Sequence, residues 1–324
     1  MAETESSHPL MMMSSRFVRQ VREGYDAGIR YCFILGAGAS VSSGIPLGTT
    51  LIRQWREYLL EQERRTPGFI RDCASEYVDW NYEEDVKPLF SKEYEVKSED
   101  YFKFYDLRFA GMPVQAYSFL QGLMERARAS YGYHALAILL NETKNRLVIT
   151  TNFDSLVEDT LSLYNAKHPL VVGHESLAPF MESVENKGRT IIAKVHRDLL
   201  LHPQNRKEEM DKLDERWERA LKNALSGVTP IVIGYAGGDH TLMSLLTKMD
   251  LGTIYWCTLD ESEENVDDRI LKLLRKQKNG RLVPIKGFDE IMYELFSSFS
   301  NIAGFKDSDK WMGTRVNESI KYHN

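Results

Sequence analysis

The sequence predicts an α/β protein built on a doubly wound, mostly parallel sheet. Three observations carry that prediction. Short continuous apolar runs recur along the chain, as expected of strands buried on both faces of a parallel sheet. Stretches with helical spacing separate them. The first run leads straight into a glycine-rich turn and then a helical pattern, the order in which such sheets build a ligand crevice at their strand ends.

The first fifteen residues, MAETESSHPLMMMSS, read as a disordered start. Phe17, Val18, Val21 and Tyr25 then recur at helical spacing, and Gly28 ends that helix. The run Tyr31–Leu35 (YCFIL) is the first buried strand, and Leu51, Ile52, Trp55, Tyr58 and Leu59 mark a helix from Thr49 to about Arg65. Residues 66 to about 132 show no comparable strand and are rich in aromatics such as Trp80, Phe90, Tyr101 and Phe104, which predicts a mostly helical insertion. A small core of its own explains those rings better than a surface for stacking bases. Strand signals return at Leu147–Thr150, Thr190–Val195, Pro230–Gly234 and Thr253–Leu259, with Arg281–Ile285 as one more candidate. Residues 16–300 thus read as one domain with an insertion, and residues 301–324 as a polar tail, the end of the chain or the way into a further domain of a longer parent.

With 43% hydrophobic and 27% charged residues, the composition is that of a globular protein, and no stretch approaches the roughly 20 apolar residues of a membrane span. Lys plus Arg total 41 against 47 Asp plus Glu, a formal net charge of −6, so the chain lacks the basic footprint of a general nucleic-acid binder. Cys32, Cys73 and Cys257 stand singly and furnish neither a disulfide framework nor a four-ligand zinc set. The acidic amino terminus lacks the pattern of a secretory signal, and the expected setting is a reducing cytoplasm.

Four segments carry chemistry. Gly36-Ala37-Gly38-Ala39-Ser40-Val41-Ser42-Ser43-Gly44-Ile45-Pro46 follows a buried strand and precedes a helix. Glycines there let the backbone approach a diphosphate, and a helix amino terminus supplies N–H groups and a positive dipole end. On this reading a β-branched residue at Gly38 weakens ligand binding through its Cβ. No third glycine stands three residues after Gly38, where Val41 lies, and no second strand ending in an acid follows, so a hydride-transferring dehydrogenase is disfavoured. Thr150-Thr151-Asn152-Phe153-Asp154 lies at a second strand end. Asn152 offers a donor and an acceptor suited to ribose hydroxyls or a water, although Asn152 or Asp154 would serve equally as a helix cap. Lys194-Val195-His196-Arg197-Asp198 ends a third strand, where the imidazole of His196 is the kind of side chain that serves as a general base. Gly234-Tyr235-Ala236-Gly237-Gly238-Asp239 ends a fourth, as a second pocket wall or a tight turn.

In this order the four segments resemble the sirtuin superfamily, through GAGAS and SGIP, TTNFD, and KVHRD, over roughly residues 30–50 and 145–290. The resemblance implies a Rossmann-variant domain with NAD as substrate. Gly36, Ala37, Gly38 and Ser40 would contact NAD, and Gly44, Thr151 and Asp154 would complete the binding set with Gly234 and Tyr235. Asn152 would hold the ribose or the attacking water, and His196 would be the base. Protein deacylases of the superfamily carry a four-cysteine zinc module and follow GIP with Asp-Phe-Arg. Here Leu47-Gly48-Thr49 follows, and a charged helical stretch occupies the interval after His196. The chain looks closer to the bacterial sirtuin-like NADases of anti-phage defence, which act with a fused or associated sensor or as homo-oligomers. Arg197 departs from that branch, where glycine usually follows the histidine.

The expected activity is NAD⁺ glycohydrolysis. A deacylase or ADP-ribosyltransferase is one alternative, and a non-catalytic module that senses NAD or ADP-ribose is the other. Because such a hydrolase must be silent at rest, the insertion and the charged helix near 207–226 are the expected covers of the cleft. Three isolated cysteines also imply that the purified protein holds no stoichiometric zinc. Elemental analysis showing one zinc per chain after dialysis against a chelator would overturn this and revive the deacylase reading.

Overall fold

In the computed structural model, residues 9–164, 168–181, 188–196, 215–238 and 240–300 are described. Seven strands form one sheet: β1 Tyr31–Leu35, β2 Leu147–Thr150, β3 Leu170–Val172, β4 Ile191–Lys194, β5 Thr229–Ile233, β6 Thr253–Thr258 and β7 Asn279–Pro284. Their spatial order is β3-β4-β2-β1-β5-β6-β7, and every pairing is parallel. The apolar runs of the sequence thus become strands within a residue or two of the expected bounds. The strand that sequence reading did not find is β3, a three-residue edge strand with only Val172 buried, too short and too exposed to leave an apolar signature.

Alternation along each strand feeds two layers. Tyr31, Phe33 and Leu35 point to one face, with α1 (Ser14–Asp26), α6 (Tyr131–Glu142), α7 (Leu156–Tyr164) and a carboxyl-terminal helix, Phe288–Ser298. Cys32 and Ile34 point to the other, against the helices Glu215–Leu225, His240–Lys248 and Asp268–Lys276. Numbered in chain order among the described residues, these last four helices are α8 (Glu215–Leu225), α9 (His240–Lys248), α10 (Asp268–Lys276) and α11 (Phe288–Ser298). Helices on both faces make the sheet doubly wound, which is why its strands carry continuous apolar runs.

The insertion builds a third core. Helix α2 (Gly48–Arg65) contributes Leu51, Ile52, Trp55 and Leu59, and α3 (Phe69–Ser75), α4 (Tyr101–Arg108) and α5 (Pro113–Arg126) close around them with short 3-10 and π turns between. The Trp55 ring sits 5.2 Å from Tyr101, 5.9 Å from Tyr105 and 6.0 Å from Phe109, centroid to centroid. The aromatics are therefore packing groups, as expected. Trp55 is shared between the helix that follows the glycine turn and the insertion, so the insertion is tied to the element beside the site.

Two expectations change. Residues 9–13 are ordered: Leu10 and Met12 are buried, Met11 bridges Leu282 in parallel, and Met12 N–H donates to the Leu282 carbonyl at 2.8 Å. This short apolar stretch covers the open edge of β7, whose backbone groups would otherwise be unpaired. The described part of the charged helix, α8, lies on a sheet face with Trp217, Ala220, Leu221 and Leu225 buried. It packs as a layer helix and does not cover the cleft, because its apolar stripe requires a sheet to bury against. Residues 207–214 lie outside the described residues, as does the tail from 301.

Candidate active site

The chain leaves β1 toward β2 on one side, and later returns to place β5 on the other. Such a switch point opens a crevice at the carboxyl ends of the strands, and all four motif segments end there. In register, Leu35 pairs with Thr150 and with Ile233, and Thr150 pairs with Lys194. The residues just beyond these pairs are Gly36, Thr151 and Asn152, Gly234, and Val195 and His196.

The glycine turn is shaped by contact with its neighbour strand. Gly38 N–H donates to the Gly234 carbonyl at 2.8 Å, and Gly36 N–H donates to Ile233 at 3.1 Å. A Cβ on Gly36 would come within 2.5 Å of Tyr235 Cα, and one on Gly38 within 2.8 Å of Gly234 Cα. Gly234 has φ of 69°, and a Cβ there would meet Ala39 N at 2.3 Å. These three positions need glycine because two backbones touch. At Gly38 the absent Cβ makes room for Gly234, and its N–H is engaged by the Gly234 carbonyl, a reason for glycine that lies within the fold itself. The segment after Gly36 is a 3-10 helix, Ala37–Ser43, and α2 begins at Gly48, within a residue of the expected helix start. Gly44 closes the 3-10 helix with φ of 92° and open space around it, a turn glycine. Ala37 is exposed at the rim.

Beneath the turn lies a buried polar network. Ser40 Oγ donates to Asp154 Oδ2 at 2.8 Å and stands 2.8 Å from the Tyr133 hydroxyl. Asn152 Nδ2 donates to Ser40 Oγ at 3.0 Å and to the Gly36 carbonyl at 3.1 Å. A serine has one hydrogen, and the carboxylate receives it, so Tyr133 donates to Ser40. Burial, with the charge of Asp154 adding to it, pushes the Tyr133 hydroxyl well above its usual range and keeps it protonated for that role. The amide nitrogen of Asn152 thus holds the turn through both bonds. Asp154 also caps α7, accepting from Leu156 N–H at 3.2 Å, which bears out the capping reading for this residue. Thr151 N–H donates to the Leu35 carbonyl at 3.2 Å, and the Thr150 hydroxyl accepts from Asn152 N–H at 3.0 Å.

His196 is buried at the end of β4, beside the Asn152 strand end. Below it Lys194, fully buried, pairs with Glu158 at 2.6 Å and donates to the Phe153 carbonyl at 3.4 Å. Burial pushes the Glu158 carboxyl up and Lys194 pulls it back. Tyr235 is placed differently from expectation: its ring lies 5.6 Å from Trp256 in the second layer, and its backbone is the part that meets the glycine turn. Arg197 and Asp239 lie outside the described residues. Among the described residues no cluster of three His, Cys, Asp or Glu is placed to hold a metal ion.

Sequence reading did not assign Tyr133 or Lys194. A lysine inside the apolar run IIAKV carried a signal, since a lysine in a doubly covered strand must be paired. Tyr133 carried none, lying 93 residues from the serine it touches.

Residues 146–255 match the model of the SIR2-like domain family. The match contains TTNFD, KVHRD and the β5 glycine, and so carries the superfamily resemblance over the strands that hold Asn152, His196 and Gly234. No curated protein matches the chain. A solved structure described as a SIR2 homolog–NAD complex aligns over 96% of this chain and 100% of its own, at 16% identity and a TM-score of 0.44, a likeness too loose to carry an argument.

Two expectations follow for this site. Gly38→Val should destabilise the folded chain by about 1–3 kcal/mol, the usual cost of overpacking, because the valine must displace Gly234. Urea unfolding checks this, and an unchanged midpoint would refute the backbone contact.

The second concerns pH. Burial raises the Asp154 carboxyl above its ordinary value of 3.8, against the Ser40 hydroxyl, Leu156 N–H and Lys194. The folded chain then binds that proton more tightly than the unfolded chain. The resulting stabilisation is complete below the ordinary value and is lost as pH rises through the folded one. Asp154→Asn, which cannot titrate, should gain stability relative to the parent as pH rises from about 4 toward about 8. Parallel thermal melts at the two ends of that range test it, and a parent–variant difference independent of pH would count against a raised carboxyl.

Proposed function

We propose that the protein is an NAD⁺ glycohydrolase. The observation that carries this reading is the convergence of Asn152, held by Gly36 and Ser40, with His196 at adjacent strand ends above a buried network. The match of residues 146–255 to the SIR2-like domain family supports the class of this reading.

On this reading, water attacks the anomeric carbon of the nicotinamide ribose. A C–O bond forms as the C–N bond breaks, and the bonding pair leaves with nicotinamide, which becomes neutral. The water proton passes to His196, and the product is ADP-ribose. The cationic leaving group already pulls electrons, so the protein's tasks are orientation and exclusion of bulk water. Asn152 Oδ1 orients a ribose hydroxyl or the water. The Gly36 carbonyl and Ser40, itself held by Tyr133 and Asp154, keep the asparagine in one rotamer, because each of its hydrogens already has an acceptor. Gly36, Ala37 and Gly38 form the wall beside the diphosphate, with Gly44, Thr151, Asp154, Gly234 and Tyr235 as its supports. In this proposal the enzyme serves as a cytoplasmic anti-phage effector, active on self-association or on engaging a sensor, with the insertion as the element beside the cleft.

Asn152→Ala and His196→Ala should each lower nicotinamide release from NAD by at least about a hundredfold while leaving the fold intact. Chromatographic assay of nicotinamide without any acylated peptide measures this. Near-parental turnover in either folded variant would remove that residue from the mechanism, and release that requires an acyl-lysine peptide would favour the deacylase.

A further inference from the structure

Lys194, the last residue of β4, is a fully buried cation in a strand covered on both faces. An ammonium taken out of water is unfavourable unless partners replace its hydration, so what it holds is informative. We infer that Lys194 is a positioning residue that clamps the Asn152 turn against the strand end carrying His196.

Three elements meet at this one group. Along β4, Ile192 belongs to the core layer of Leu156, Val157 and Leu161 on α7, while Ala193 and Val195 belong to the opposite layer. By that alternation Lys194 points into the α7 layer. There its ammonium pairs with Glu158 of α7 at 2.6 Å and donates to the Phe153 carbonyl at 3.4 Å. Phe153 lies between Asn152 and Asp154, and Asp154 starts the helix on which Glu158 stands one turn later. The lysine therefore ties β4, α7 and the turn together.

The clamp acts where regular pairing gives way to turns. Backbone bonds join β2 to β4 up to Val195, whose N–H donates to the Thr150 carbonyl at 3.0 Å. Asn152 and His196 stand beyond the strands, each two residues past one member of the Thr150–Lys194 pair. The same ammonium faces a second carboxyl, since its charge lowers Asp154 against the effect of burial. That favours the form of Asp154 which accepts from Ser40.

The role in turnover rests on the glycohydrolase reading. On that reading Asn152 and His196 serve one ribose carbon from two strands, so their separation must be fixed. The glycine wall is held separately, by the bond from Gly38 to Gly234. Loss of the clamp should therefore lower kcat and spare KM.

Replacing a buried ion pair by apolar groups of like size often preserves stability, whereas deleting one partner strands the other. The first variant is thus Lys194→Met with Glu158→Leu. Lys194→Met alone is the second, since burial already favours the protonated Glu158 carboxyl. The double variant should melt like the parent, lose at least about tenfold in kcat for nicotinamide release, and keep KM for NAD within about twofold. A merely structural pair would leave kcat parental in a variant of parental stability. Hydrogen exchange gives a readout that needs no turnover: amides 152–154 should exchange at least about tenfold faster, with those of β1 unchanged. Parental exchange at 152–154 in either folded variant overturns the clamp, whatever the turnover. Parental kcat, or a rise in KM alone, overturns its part in the reaction. A parent that releases no nicotinamide refutes the hydrolase reading by itself, and the exchange measurement then decides the clamp.

Discussion

The site depends on the place where two backbones touch. Strands β1 and β5 lie side by side with Leu35 opposite Ile233, and the turns that follow them run into each other at Gly36, Gly38 and Gly234. No side chain fits between them, since each absent Cβ would fall within 2.8 Å of a backbone atom. The hydrogen bond from Gly38 to Gly234 locks the contact. Because the turn is pinned on one side by β5, its other side can present the Gly36 carbonyl and Ser40 to Asn152.

From that contact the rest of the site follows in layers. Asn152 is oriented by the turn, Ser40 by Asp154, and the direction of the proton chain by the acceptor-only character of an ionised carboxylate. Asp154 also starts α7, so the helix that covers one sheet face and the polar network share a residue. The buried Lys194–Glu158 pair underlies the same corner. Removing one partner of such a pair leaves an uncompensated charge, which makes this layer a rigid base for the strand ends above it.

The two ends of the sheet divide polarity between them. The carboxyl ends carry short polar side chains and close backbone, with Asn152, Asp154 and His196 all buried. The amino ends carry long cations around a concavity. Strands β1, β2 and β4 belong to both ends, and their pairing in register makes them a rigid connection.

Local pattern alone determined the sheet, because a strand covered on both faces must be apolar at every position, and YCFIL, LVIT and PIVIG show this without reference to any neighbour. It also marked the strand ends that meet at the crevice, since glycines and an Asn or His stand directly after such runs. It did not reveal β3 or the sheet-capping role of Leu10 to Met12, whose signals are short and depend on an edge that exists only in the assembled sheet. Only the tertiary structure decided what the glycines are for, because the neighbour that excludes a Cβ from Gly38 lies about two hundred residues away at Gly234. For the same reason it alone brought Tyr133 to Ser40, and gathered Arg30, Lys144, Arg146 and Arg189 from three separate strand starts into one cavity. Periodicity reports the environment of a segment, whereas contacts across the chain are set by which strands pair and in what order.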